Sequence, residues 1–217
     1  MSQPLPRRNP TDTDPQTKLT FLNCVPSLTL ADPLAEILGV LEPGGVFRYT
    51  YEDAVKLCGH SCPTVARAYL MTCLALRALY GGETPVRGEV DVTLGGARDD
   101  GTTGPMAQVV SLLTAAAPES GFGGLMGRWR RKDLLQFDPA LQGRMIFRRM
   151  DTGKAVEVSC ELGALPASPE LPRLMTAVLK GEASMEERAR FGDLWQSRVE
   201  DLLTGDPSRY VHVRTCV

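Results

Sequence analysis

The sequence predicts an α+β chain: a long buried helix against a small mixed or antiparallel sheet, followed by a helical C-terminal segment. Three observations predict it. Residues Pro63–Tyr80 are almost unbroken apolar sequence, opened by a proline and closed by Gly81-Gly82. Residues 86–94 alternate Val86, Gly88, Val90, Val92 and Leu94 with Arg87, Glu89, Asp91 and Thr93, the pattern of a half-buried strand. From Ser168 onward the pattern turns to helical spacing, first through Leu171, Leu174, Met175, Val178 and Leu179, then through Phe191, Leu194, Trp195, Val199 and Leu202.

The elements follow in order. Residues 1–18 are rich in Pro, Thr and Asp and read as a disordered leader. Residues 32–41 predict a short helix ended by Pro43-Gly44-Gly45, and Val46–Tyr49 a short strand. Thr50 opens a capping box with Asp53, and the helix it starts runs to Gly59. Pro105 opens a helix carrying Met106, Val109, Val110, Leu113 and Ala117, and residues 120–132 form a Gly-rich basic loop. Met145–Arg149 and residues 155–161 pair as a hairpin around Asp151-Thr152-Gly153-Lys154. Ser184 begins a second capping box with Glu187, and residues 209–214 read as a last strand. This divides the chain into the leader, a domain over 19–162 and a C-terminal helical extension over 163–217 packed on it.

The bulk properties narrow the function classes. The chain has 217 residues, 43% hydrophobic, with a net charge of −2, which allows a real core and gives no general affinity for nucleic acid. Six cysteines at this length are too few for a disulfide scaffold, and the start of the chain lacks an apolar signal stretch. The expected compartment is the reducing cytoplasm. Arg67 and Arg77 interrupt the apolar run, so a buried helix is expected there and a membrane span is not. Cys24, Cys73 and Trp195 read as core.

The most informative stretch is Gly59-His60-Ser61-Cys62-Pro63. Pro63 suits the first helical position, which puts Cys62 at the N-cap, where the helix dipole should lower its thiol pKa. Imidazole and thiolate on one turn suit a soft metal, or a nucleophile with its base. His60 and Cys62 are therefore candidate metal ligands and candidate catalytic residues. Cys58 can face the same ion, and further ligands are sought among Cys160, His212, Cys216 or a second copy of the chain. Zinc is the expected metal, with non-covalent haem or iron as the alternative, since Cys-x-x-Cys-His is absent. The plain alternative is a structural turn with an inert thiol.

Gly-His-x-Cys-Pro before a long apolar helix resembles the FmdE family, proteins named for a component of formylmethanofuran dehydrogenase. The resemblance runs through the strand near Val90, the loop Asp99-Asp100-Gly101, the helix after Gly104 and Gly121-Phe122-Gly123-Gly124-Leu125, over roughly residues 45–160. It implies an α+β fold, a frequent homodimer, and a metal site using His60 and Cys62. Two departures stand out: Thr64 follows Cys-Pro where many relatives have Gly, and the Cys-x-x-Cys zinc ribbon of some relatives is missing. A shared domain does not carry formylmethanofuran chemistry with it.

Two other segments can bind ligand. Asp99, Asp100, Thr102 and Thr103 precede a helix start whose N–H groups can hold an anion; helix capping is the simpler role. In residues 121–132, Arg128 and Arg130 can bind an anionic group while the glycines let the loop close as a lid. Tyr69, two turns beyond Cys62, is a further candidate to touch the cofactor. No Gly-x-x-x-x-Gly-Lys-Ser/Thr phosphate loop is present. The expected function is a metal-binding protein that binds or acts on a small anionic molecule. Its competitors are a haem or metal carrier or sensor without turnover, and a metal-free enzyme with Cys62 as nucleophile and His60 as base.

Overall fold

The apolar run becomes the helix around which the rest is arranged. The computed structural model describes residues 18–216, so nearly all of the expected leader lies outside the described residues. The elements are β1 (Leu28–Ala31), α1 (Pro33–Ile37), β2 (Val46–Tyr49), α2 (Tyr51–Cys58), α3 (Pro63–Tyr80), β3 (Val90–Gly95), α4 (Thr103–Thr114), β4 (Leu135–Asp138), β5 (Met145–Arg149), β6 (Ala155–Cys160), α5 (Leu171–Lys180), α6 (Met185–Thr204) and β7 (Val211–Cys216). The fold is α+β, with a five-stranded mixed sheet and a separate two-stranded one.

The larger sheet runs β4-β3-β5-β6-β7, parallel only between β3 and β4. Val90, Val92 and Leu94 of β3, Met145 and Phe147 of β5, and Val156 and Val158 of β6 are buried. The alternating positions on β3 and β5 place these side chains on one apolar face, as period-two geometry requires. Helix α3 packs on β6, α4, α6 and α2. Twelve of its eighteen residues are buried. Its apolar faces are thus covered within one chain and do not need a second copy to shield them.

Residues after 162 do more than add helices. β7 pairs antiparallel with β6 from Ala155↔Cys216 to Cys160↔Val211, so the C-terminal segment completes the sheet. Of the inward positions expected on α6, Val199 and Leu202 are buried and Phe191, Leu194 and Trp195 are half-buried. On α5, Leu171 and Leu174 are buried but Leu179 is 80% exposed. No helix among the described residues is long and apolar enough to cross a membrane.

Two local readings are corrected. The strand expected from Val86 begins only at Val90, because Gly88 turns at φ +80° and the Arg131 side chain fills the space a Cβ would need. Cys24, expected in the core, is exposed; only Phe21 is buried in its 3-10 turn. The segment expected to act as a lid folds as a hydrogen-bonded hairpin. Ala117 N–H bonds Arg131 O (2.9 Å), Phe122 O accepts from Arg131 and Lys132, and Leu125 and Arg128 exchange two bonds at 2.9 and 3.0 Å.

Candidate functional site

The motif folds as a tight link between two helices. Thr50 and Asp53 close a capping box at the start of α2. At its end Gly59 takes φ +72°, a left-handed C-cap that favours glycine over any side chain. Cys62 then stands at the N-cap of α3 in extended conformation, with Pro63 at the first helical position. Its side chain makes no capping hydrogen bond, so the thiol is left for other work.

His60 is exposed, and its Nδ1 lies 2.9 Å from the Cys58 carbonyl oxygen. A carbonyl accepts only, so Nδ1 carries the proton and Nε2 presents a lone pair outward. Burial pushes the half-buried Cys58 thiol up, and the neighbouring Cys62 adds to the shift. The turn is clamped from α6: Ser61 Oγ donates to Gln196 Oε1 at 2.9 Å, and Gln196 Nε2 donates to Ser61 O at 3.0 Å. Because Ser61 spends its proton on Gln196, the Tyr51 hydroxyl, 3.0 Å away, donates to Ser61 Oγ.

The remaining expected residues fall elsewhere. Tyr69 is buried, donates to Pro26 O at 2.7 Å, and meets the motif only through an edge contact with Tyr51, ring centroids 5.6 Å apart. It lines an apolar cavity of about 460 Å³ together with Cys24 and Cys73. Arg128 stacks over Trp129 at 4.5 Å, and Arg130 lies 3.6 Å from Asp133. Both therefore have local partners on the hairpin. His212 Nε2 lies 3.9 Å from Glu161, and Cys216 is opposite Ala155 at the sheet edge. Among the described residues no three of His, Cys, Asp and Glu stand close enough together to hold a metal ion.

Two residues near the motif carry little or no signal in the sequence. Gln196 has none beyond being a polar residue on an amphipathic helix. Arg67 does have one, a cation inside an apolar helix, but that alone argues only against a membrane span. In the fold it reaches the neighbourhood of Cys62 and Cys160. Burial raises the Cys160 thiol to about 11, with Arg67 opposing the shift.

The family model of FmdE, described by the molybdenum formylmethanofuran dehydrogenase operon, matches residues 57–212. The chain belongs to the FmdE family. The match begins just before the Gly-His-Ser-Cys-Pro turn and ends within β7, so it includes α6 with its clamp. A curated relative, the tRNA modification GTPase MnmE of Azoarcus sp. (strain BH72), is 30% identical over 162 residues. That alignment covers 74% of this chain and 34% of the relative, so the chain spans about a third of that protein's length. A solved structure of a tungsten formylmethanofuran dehydrogenase FmdE-like protein from Syntrophus aciditrophicus is 18% identical, covering 77% of this chain and 72% of that one with a TM-score of 0.43.

Proposed function

We propose that this FmdE-family protein binds a metal ion, zinc first, through His60 Nε2 and Cys62 Sγ, and binds or acts on a small anionic molecule beside it. The observation that carries the reading is the His60 Nδ1 bond to the Cys58 carbonyl. Histidine ligands characteristically donate their second ring nitrogen to a carbonyl or carboxylate, which fixes the tautomer and aims the ligating lone pair. The donor pair is one imidazole and one thiol on one turn; as folded, Cys58 does not make a three-ligand group with them, so it joins only if the turn rearranges around the ion. The other positions fall to a second copy of the chain, solvent or the ligand itself, since Cys160, His212 and Cys216 do not gather with the pair into a three-ligand group as folded. When bound, the ion supplies Lewis-acid polarisation of a ligand oxygen. The chain's own part is to hold His60 and Cys62 in register, through Gly59, Ser61 and Gln196.

The GTPase activity in the name of the Azoarcus relative is not part of this proposal, since the chain has no Gly-x-x-x-x-Gly-Lys-Ser/Thr loop. A metal-free Cys62/His60 enzyme has less support, because no hydrogen bond joins the two side chains among the described residues. A homodimer in the cytoplasm belongs to the proposal. Exposed Ile37, Leu38, Val40 and Val46 support a second copy now that α3 does not. Light scattering checks it: a pair has twice the 23.6 kDa chain mass.

Metal analysis of the purified full chain tests the site. The wild type should carry stoichiometric metal, and His60→Ala and Cys62→Ser should each lose it. Native occupancy in both variants would end the reading. A Soret band in place of zinc would point to haem.

A further inference from the structure

We infer that the cavity between α3 and the N-terminus of α4 is an oxyanion-binding site anchored by Arg67, taking a small molecule through a carboxylate or phosphoryl group. This rests on the proposed function for the class of ligand but not for the place, which a different residue now decides.

The first observation is a charge without a partner. Burial lowers the Arg67 pKa, so its environment disfavours the cation. The Nε–H is enclosed and has no hydrogen-bond acceptor. The Nη2 group donates to the Met106 thioether at 2.6 Å, and sulfur is a weak acceptor. Among the described residues Arg67 forms no ion pair. Arg198 Nε is also enclosed without an acceptor, but three other guanidiniums show how this fold pairs a structural arginine. Arg87 and Arg131 share Asp32, and Arg149 holds both Glu83 and Asp151. Leaving a desolvated cation unpaired is unfavourable unless something arrives to pair with it.

The second observation is the space in front of it. Arg67 lines a cavity of about 470 Å³ together with Gly96, Asp100, Thr102 and Thr103. That volume lies in the range of small-molecule sites, on the order of 300–1,000 Å³. Gly96 is at φ +136°, and a Cβ there would collide with Thr103 Oγ1, so this wall admits only glycine. The first turn of α4 adds no free donor at this wall: Thr103 N–H bonds Asp100 O at 2.9 Å and Pro105 has no N–H, so the guanidinium is the main donor. Asp100 sets a limit on what fits. A bare polyanion would meet its carboxylate, whereas a molecule with a hydroxyl or ammonium donor beside its oxyanion would pair with both.

The third observation is position. Arg67 follows Cys62 by five residues on one rigid helix, a rise of about 7.5 Å. Cys62 and Cys160 both lie in the neighbourhood of the guanidinium. A molecule held at Arg67 therefore sits on the helix that the motif opens, although no motif residue lines the cavity itself. Arg128 and Arg130 have no comparable link.

The experiment titrates the full chain with inorganic phosphate and, separately, with malonate, following binding by calorimetry and by amide shifts in a labelled sample. Saturable binding is expected for at least one probe. Phosphate alone would mark the site for phosphoryl ligands, malonate alone for carboxylates, and either supports the site. Arg67→Gln should weaken binding by about tenfold or more, the loss of a charge-assisted bidentate contact. Arg77→Gln removes the same charge from an exposed position of the same helix and should change nothing. In the wild type the shifted amides should be those of Gly96, Gly101, Thr102 and Thr103, a readout that does not depend on any variant folding. Absence of saturable binding, equal binding by Arg67→Gln, or shifts centred on residues 121–132 would each overturn the inference. Metal content is read on the same samples, and Arg67→Gln should retain it. A wild type without metal that still binds phosphate at Arg67 ends the metal reading and leaves this one standing.

Discussion

Residue by residue, chemistry was most legible where a side chain has a special backbone task. Gly59, Thr50, Ser184 and Pro63 announce caps and helix starts, because few other residues can do what they do. Burial of single cysteines was less legible, since a thiol is equally at home in a core or a turn. Cys24 is exposed and Cys73 half-buried, with burial pushing the Cys73 thiol up to about 12. Both line the same apolar cavity. Iodoacetamide at about pH 8, below the usual thiol pKa, should therefore alkylate Cys24 promptly and leave Cys73 unmodified in the folded chain, with both labelled in denaturant. Mass mapping after short exposure decides it, and labelling of Cys73 as fast as Cys24 would mean that its surroundings do not hold the thiol protonated. The same scale shows why Arg67 is easy to underuse: a charge in an apolar run says that the helix is not in lipid, but not whether a counter-ion waits for it.

At the scale of elements, long periodic segments were legible and short ones were not. The bounds of α3, Pro63–Tyr80, are those the sequence predicts, because a proline, eighteen residues of apolar pattern and a glycine pair leave little freedom. Strands β1 and β4 have no such signature. Each has four residues, and each forms through its neighbour: β1 on β2 from Leu28↔Tyr49, and β4 parallel to β3 from Val92↔Leu135. Four residues cannot establish a period, so tertiary contact decides them. The contact between α6 and the motif is of the same kind. Gln196 meets Ser61 across 135 residues, a separation no local pattern reports. Gln196→Ala should leave Ser61 O and Ser61 Oγ short of partners, lowering stability by about 1–2 kcal/mol. If the clamp positions His60 and Cys62, metal affinity should fall as well, and Gln196→Glu should restore only the bond from Ser61 Oγ. Denaturant titration with metal analysis separates the two effects. Unchanged metal affinity in Gln196→Ala would reduce the clamp to a structural tie.

On the scale of the whole molecule, one carboxylate joins parts of the chain that sequence proximity does not. Asp32 is buried and caps α1, accepting from Leu34 N–H (3.1 Å) and Ala35 N–H (3.2 Å). The same carboxylate pairs with Arg87 Nη1 at 2.7 Å and Arg131 Nη2 at 2.6 Å. The N-terminal sheet, the approach to β3 and the Gly-rich hairpin thus meet at one residue. Arg131 belongs to the segment expected to act as a lid, and this pairing ties the end of that segment to Asp32. The basic run read from residues 128–132 is in fact divided, with one arginine turned inward as structure. Removing the carboxylate should leave two desolvated cations facing each other. Asp32→Ala should therefore destabilise the fold by about 3–5 kcal/mol, the usual result of breaking a buried ion pair from one side. The helix cap contributes only about 1 kcal/mol of that. Asp32→Asn separates the terms, because its amide oxygen still caps α1 while the charge is gone. It should lose most of the stability that Asp32→Ala loses, measured by urea unfolding of the full chain at neutral pH. If Asp32→Asn instead unfolds like the wild type, the cap is the main contribution of Asp32 and the hairpin is held by its backbone bonds alone.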